Sequence, residues 1–236
     1  MPLVVLFDID GTLLDCAGAG RRSMIAAFGA AFGRPDACDG IAFGGMTDRA
    51  IARQGLAAIG REPSAGEIDA VIDGYRGFLA LELKKSEKFK VHDGALELVE
   101  LARAHGHAVG LGTGNVRAGA RLKLEHCGIW DRFDFGGFGC DAEARHELLD
   151  IGRARGHERL GCSPELAPTL VVGDTPKDVA AAHAIGATCL AVSTGRFDAV
   201  ALRDAGARYV VESLADPLAR DVVARGPGDR QDDVSS

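Results

Sequence analysis

The chain has 236 residues, enough for one large α/β domain or a domain carrying an insert, and its 47% hydrophobic and 26% charged residues are those of an ordinary soluble globular protein. A formal net charge of -7 argues against a broad nucleic-acid surface, which would be basic, and leaves any anionic substrate dependent on a metal, a helix N-terminus or a few cations. No stretch approaches the ~20 apolar residues of a membrane span. Six scattered cysteines (Cys16, Cys38, Cys127, Cys140, Cys162, Cys189), with no Cys-x-x-Cys pair and no zinc-like spacing, predict reduced thiols in the cytoplasm.

The apolar run over 3–7 predicts a strand that ends in Asp8-Ile9-Asp10-Gly11-Thr12. Strand side chains alternate between faces, so Asp8 and Asp10 leave its carboxyl end on the same side, and Gly11 permits a tight turn. That edge is where open α/β sheets bind ligands. From about Cys16 to Lys90 the pattern is helical only. Met24, Ile25, Phe28 and Phe32 share one face, and Ile68, Val71, Ile72, Tyr75, Phe78 and Leu79 another. An all-helical insertion directly after the acidic turn reads as a lid above that edge. Lys84, Lys85, Lys88 and Lys90 near its end complement a helix dipole.

From Gly94 onward helices and strands alternate. Asp93 is the expected N-cap of a helix that turns Ala95, Leu98, Val99 and Ala102 inward. A strand over 107–112 follows, then a helix with Val116, Ala120, Leu124 and Cys127 on one stripe, closed by Gly128. A short strand over 133–137, a helix over 142–155, a strand over 169–173, a helix over 176–185 and a strand over 188–192 complete the pattern. It predicts a Rossmann-like parallel sheet core with helices on both faces, plus an inserted all-α cap domain. The expected division is 1–15 and 91–225 for the core, 16–90 for the cap, and 226–236 for a polar, disordered tail.

The acidic strand end recurs in Gly173-Asp174-Thr175-Pro176-Lys177-Asp178. Transfer of a phosphoryl group from a monoester needs a nucleophile in line with phosphorus, neutralised equatorial oxygens and a proton for the leaving oxygen. Asp8 can supply the nucleophile through an aspartyl-phosphate, and Asp10 is placed to protonate the leaving group and then activate water. A hard divalent cation, Mg²⁺, would be held by Asp8 and Asp174. At the end of the second core strand, the Thr113 hydroxyl and the Gly114 and Asn115 N–H groups form an anion site at a helix start, where Asn115 also suits an N-cap. Gly110 and Gly112 lack the final glycine of a dinucleotide fingerprint. Thr175-Pro176-Lys177-Asp178 reads as a capped helix start, from which Asp178 can also support the metal indirectly.

Together these residues resemble the haloacid dehalogenase superfamily, made up mostly of phosphatases. Its DxDGT motif matches Asp8-Ile9-Asp10-Gly11-Thr12, its strand-ending Ser/Thr matches Thr113, and its GDxxxD motif matches 173–178. The resemblance spans about 1–211, and the insert resembles the type-one cap of phosphoglycolate-phosphatase-like and phosphomutase-like members. It implies Asp8 as nucleophile, Asp10 as acid/base with its backbone carbonyl on Mg²⁺, Thr113 on the phosphoryl group and Asp174 as a metal ligand. The family's third motif usually places a Lys on the helix before the last motif. Here that stretch offers Arg145, whose fork also binds oxyanions, with Lys177 in reserve. Gly44-Gly45-Met46-Thr47-Asp48 resembles the family's specificity loop, giving Gly45, Met46 and Thr47 as cap contacts. The implied activity is Mg²⁺-dependent hydrolysis of a small phosphorylated metabolite, phosphoglycolate being a first candidate by analogy. A phosphomutase on the same core is the nearer alternative. A receiver-like phospho-aspartate module is a more distant one, being about half this length and lidless. The metal-independent dehalogenase branch lacks the second Asp, present here as Asp10. No oligomeric state is implied.

Overall fold

Val4, Val5, Leu6 and Phe7 are completely buried, as a strand covered on both faces must be. The computed structural model describes residues 1–228. In chain order the elements are β1 (Val4–Phe7), β2 (Leu14–Asp15), α1 (Ala19–Phe32), α2 (Asp48–Ala58), α3 (Ala65–Lys85), β3 (Lys90–Val91), α4 (Ala95–Ala104), β4 (Ala108–Thr113), α5 (Arg117–His126), β5 (Phe135–Phe138), α6 (Arg145–Leu160), β6 (Thr169–Gly173), α7 (Pro176–Ala184), β7 (Thr188–Val192), α8 (Ala199–Asp204), β8 (Tyr209–Val211) and α9 (Pro217–Arg225). Six strands form one parallel sheet in the order β5-β4-β1-β6-β7-β8. The chain builds outward from β1 on one side and then on the other, so β1 stands at the switch point where such sheets bind ligands.

Alternation along β1 serves two apolar layers. Val4 and Leu6 pack with Leu148 and Leu149 of α6 and Val179 of α7. Val5 and Phe7 pack with Leu98 and Val99 of α4, Leu124 of α5 and Val222 and Val223 of α9. The second layer continues without a break into Met24, Phe28, Ile51, Leu56, Ile68, Val71, Tyr75 and Leu79 of the helical stretch. There α1 lies along α3, and a Cβ at Gly55 of α2 would collide with the Phe28 ring. A Ser64–Glu67 capping box starts α3, and Lys84 and Lys85 close it. The stretch leaves the sheet through β2 and returns through β3, which pair antiparallel at Leu14–Val91 and Asp15–Lys90. Among the described residues, no helix is long and apolar enough to cross a membrane.

Some boundaries differ from expectation for identifiable reasons. Gly94, not Asp93, caps α4, because its left-handed backbone (φ 81°) lies where a Cβ would collide with the backbone of Leu214 and Ala215. The helix expected from 142 starts at Arg145, because Asp141 is spent on a turn: its carboxylate accepts from the Phe138 N–H at 3.0 Å and pairs with Arg155. Val116 caps α5, which frees the Asn115 side chain for other contacts. Of the tail expected from 226, the Gly228 carbonyl accepts from Arg208 at 2.7 Å, and residues 229–236 lie outside the described residues.

Candidate active site

β1 and β6 are neighbours in parallel register, so the acidic ends Asp8 and Asp174 emerge side by side. The Asp8 N–H is tied to the Val172 carbonyl at 2.9 Å. Asp174 accepts from the Thr12 hydroxyl at 3.2 Å, and two glycines close on it. A Cβ at Gly11 (φ 84°) or Gly195 would strike its carboxylate. Among the described residues, Asp8, Asp174 and Asp178 form a group whose carboxylate oxygens lie within 4.8 Å of one another, all three buried. Into this group projects Arg145 from the start of α6. Its Nη2 is 2.9 Å from Asp8 Oδ2, and its Nε donates to Asp178 Oδ1 at 2.8 Å. The other oxygen of Asp178 accepts from the Thr175 N–H at 3.0 Å and hydroxyl at 2.7 Å. Asp178 therefore caps α7 and aims Arg145 with the same carboxylate.

Three buried carboxylates against one guanidinium leave excess negative charge, and the carboxyl groups register it. Burial pushes Asp8 up to about 6 against the pull of Arg145. Burial, with the charges of Asp178 and Asp8, pushes Asp174 up to about 8. A buried set of hard oxygen donors with surplus negative charge fits a divalent cation such as Mg²⁺. Of the two cations offered for the third motif, only Arg145 is ion-paired with Asp8. Lys177 lines a side groove with His146, Glu143 and Thr47.

Asp10 is placed apart from this cluster. Its carboxylate turns toward α5, where Lys123 Nζ reaches Oδ1 at 2.8 Å and Oδ2 at 2.6 Å. The Asn115 amide donates to Asp10 Oδ2 at 2.8 Å and to Thr113 Oγ1 at 2.9 Å, and its oxygen accepts from Lys123 at 2.7 Å. Burial alone would raise the Asp10 carboxyl, but the Lys123 ammonium and the Asn115 amide hold it below its ordinary value. Any metal contact from Asp10 thus falls to its backbone carbonyl, since its side chain is committed elsewhere. Thr113 is fully buried beneath Asn115, whose N–H also points at the Thr113 hydroxyl at 3.3 Å instead of outward. Sequence reasoning missed Lys123. The signal was present: with Val116, Ala120 and Cys127 it falls at i, i+4, i+7 and i+11, a charge on an inward stripe.

A cavity of about 470 Å³ opens over these groups, with Asp8, Asp10, Lys123, Arg145 and Asp174 in its wall. Residues 16–90 contribute Arg21, Met24, Phe43, Gly45, Met46 and Tyr75 to it. Thr47 is not among its lining residues. It caps α2 by accepting from Ala50 N–H at 3.2 Å and donates to the Glu143 carbonyl. Asp48 ties the loop down, its N–H bonding the Gly114 carbonyl and its carboxylate the Val116 N–H, both at 2.8 Å. Gly114 is held so close to the Met46 carbonyl that a Cβ would collide with it. Among the described residues, His92 Nε2 is the buried side-chain polar atom without a partner, and His92 lines this cavity.

Buried carboxylates and a guanidinium thus meet at the switch-point edge of a parallel sheet, the place where α/β proteins of this build hold their ligands. The sequence model of the haloacid dehalogenase-like hydrolases matches residues 5–192, and the chain belongs to that family. It is 24% identical over 226 residues to the probable phosphatase IndB of Dickeya dadantii (strain 3937), covering 92% of each chain. The fold is shared with CbbY from Rhodobacter sphaeroides, solved with phosphate, at TM-score 0.69, 17% identity and coverage of 92% of this chain and 96% of that one. A predicted phosphatase from Clostridium acetobutylicum superposes at TM-score 0.68 with 20% identity, over 94% of this chain and 99% of the other.

Proposed function

We propose that this chain is a Mg²⁺-dependent phosphatase that hydrolyses small phosphate monoesters through an aspartyl-phosphate on Asp8. The observation that carries this reading is the separation of two carboxylates on one strand end. Asp8 is paired with Arg145 at 2.9 Å beside Asp174, and Asp10 with Lys123 at 2.6 Å on the opposite side. Paired with different cations on opposite sides, the two carboxylates can take different roles: Asp8, beside Arg145 and Asp174, the attack on phosphorus, and Asp10, on the other side, the proton transfers. Asp8 attacks phosphorus as the ester oxygen leaves. Asp10, kept ionised by the Lys123 ammonium, first takes a proton from the ester monoanion or cavity solvent and then gives it to that oxygen. Water then attacks the aspartyl-phosphate while Asp10 takes the water proton, releasing phosphate and regenerating Asp8. Arg145 offsets charge on Asp8 and faces the space where equatorial oxygens would lie. The Asp8 and Asp174 side chains and the Asp10 carbonyl would hold Mg²⁺, which when bound would screen nucleophile from phosphate dianion. Gly114 and Asn115 form the floor on the β4 side, while Thr113, expected at the phosphoryl group, lies covered beneath Asn115 and supports it. Residues 16–90 serve as the cap over the core of 1–15 and 91–225, with Gly45 and Met46 at the substrate. Scattered thiols, free at all six positions, support a cytoplasmic setting.

The test is phosphate release from a panel of small monoesters, with Mg²⁺ or EDTA, beside Asp8→Asn. Turnover that needs both the metal and Asp8 is the expected result. Parental turnover in Asp8→Asn refutes the reading. A rate that rises with added sugar bisphosphate while free phosphate stays absent identifies a mutase instead.

A further inference from the structure

We propose that Lys123 is a positioning residue for the acid/base carboxylate of Asp10, acting from inside the seam between the sheet and the helices of 16–90. This deepens the phosphatase reading and rests on it for the role of Asp10. The side chain of Lys123 is 3% exposed, whereas that of Asp10 is 45% exposed and faces the cavity. A pair of this kind is poorly explained as a device for stability. Burying an ammonium costs several kcal/mol before its partner repays it, and an apolar side chain of similar size is often neutral or better. The half-exposed Asp10 could be solvated by the cavity instead.

The contacts are specific in geometry. The three close partners of the ammonium, two Asp10 oxygens and the Asn115 oxygen, match its three N–H bonds in number. Asn115 presents its oxygen to Lys123 and its nitrogen to Asp10 and Thr113, so the amide can stand only one way round. The carboxylate is held by Lys123 and Asn115 from the β4–α5 side, with the Cys16 thiol bonding it as well. Without them the carboxylate is free to turn away into the cavity, since the surplus negative charge of Asp8 and Asp174 repels it. The seam also fixes Lys123. A Cβ on Gly20 of α1 would stand 3.7 Å from both Lys123 Nζ and the Tyr75 hydroxyl of α3, an ordinary contact distance, so α1 and α3 both lie against the ammonium. Asp48 of α2, Tyr75 and Cys16 are the other titratable groups facing it; burial works against its charge, and the Asp10 and Asp48 carboxyl groups favour it.

The experiment compares Lys123→Met, Lys123→Arg, Asp10→Asn and the double variant Asp10→Asn/Lys123→Met in the full-length chain, with crystal structures of the single Lys123 variants. Lys123→Met is expected to fold, to keep KM for an alkyl phosphate within about threefold, and to lose about 10²-fold to 10³-fold in kcat, the scale of a displaced general acid/base. The double variant should be no slower than Asp10→Asn alone, because both changes remove one function. Lys123→Arg keeps the charge, but its planar fork misplaces the carboxylate, so kcat falls there also. In the Lys123→Met structure the Asp10 carboxylate should leave its Lys123-bound orientation and turn into the cavity. Parental kcat, independent losses that multiply in the double variant, or an unmoved Asp10 carboxylate would each overturn the proposal. The structural readout decides it even if no monoester is turned over, an outcome that would instead sink the phosphatase reading.

Discussion

Asp174→Asn in metal-free protein should make the fold more stable while destroying its activity, and the gain should depend on pH. The Asp174 carboxyl is raised from 3.8 to about 8 by burial and by Asp178 and Asp8, despite Arg145. A raised carboxyl holds its proton more firmly in the folded chain than in the unfolded one. Stability is therefore fullest below 3.8 and falls as pH climbs from there toward about 8. At 1.36 kcal/mol per pH unit the ceiling over that span is about 6 kcal/mol, and relaxation with water entry brings the expected gain to about 3 kcal/mol at the upper end. Asparagine keeps the size and can still accept from the Thr12 hydroxyl. Denaturant melts in EDTA, taken at intervals between about pH 4 and pH 8, should diverge steadily, the parent falling and the variant staying flatter. Saturating Mg²⁺ should restore the parent by about 2.7 kcal/mol at a hundredfold excess over Kd and leave the variant almost unmoved. If the two proteins melt alike at the alkaline end, or if the parent gains stability across that range, the account of a charge-loaded cluster is wrong.

Three further outcomes follow from the same contacts. Arg145→Met strands Asp8 and Asp178 without their guanidinium, so it should cost about 3–5 kcal/mol in EDTA by thermal melt and reduce kcat far more than KM. Gly11→Ala forces an alanine into a left-handed backbone and a methyl into the Asp174 carboxylate. A loss of about 1–2 kcal/mol with weakened Mg²⁺ binding by calorimetry is expected, and unchanged metal affinity would contradict the packing. Thr47→Ala removes the α2 cap at a cost of about 1 kcal/mol, while KM should stay at the parental value because Thr47 faces away from the cavity.

The acidic strand ends were legible because alternation forces Asp8 and Asp10 to one side, and because apolar runs buried on both faces mark central parallel strands. Their partners were harder. Lys123 lay hidden because the α5 stripe was traced through Leu124, and a one-residue choice on a helix exchanges an apolar wall for an ammonium. Arg145 was found by its place in the chain, but its aim depends on Asp178, whose cap function concealed the second use of the same carboxylate. The helix expected from 142 begins later because nothing local reveals Arg155 reaching back to Asp141. The edge strand β8 has only three residues, too few for a period to show. Long-range pairing decided each of these, and composition carries no record of it.

The two-residue strands β2 and β3 give the helical segment a single doorway. Because departure and return lie side by side, Asp15 against Lys90, the sheet would be joined end to end if a short turn bridged those residues. The segment is in that sense a cassette: exchanging it requires two adjacent splices and leaves every strand crossing intact. What travels with it is the apolar surface it covers, from Ile9 and Leu13 to Tyr75. Descendants of such a chain can remodel the roof over the cavity and keep the carboxylate floor, provided the new roof is as oily beneath as the old one.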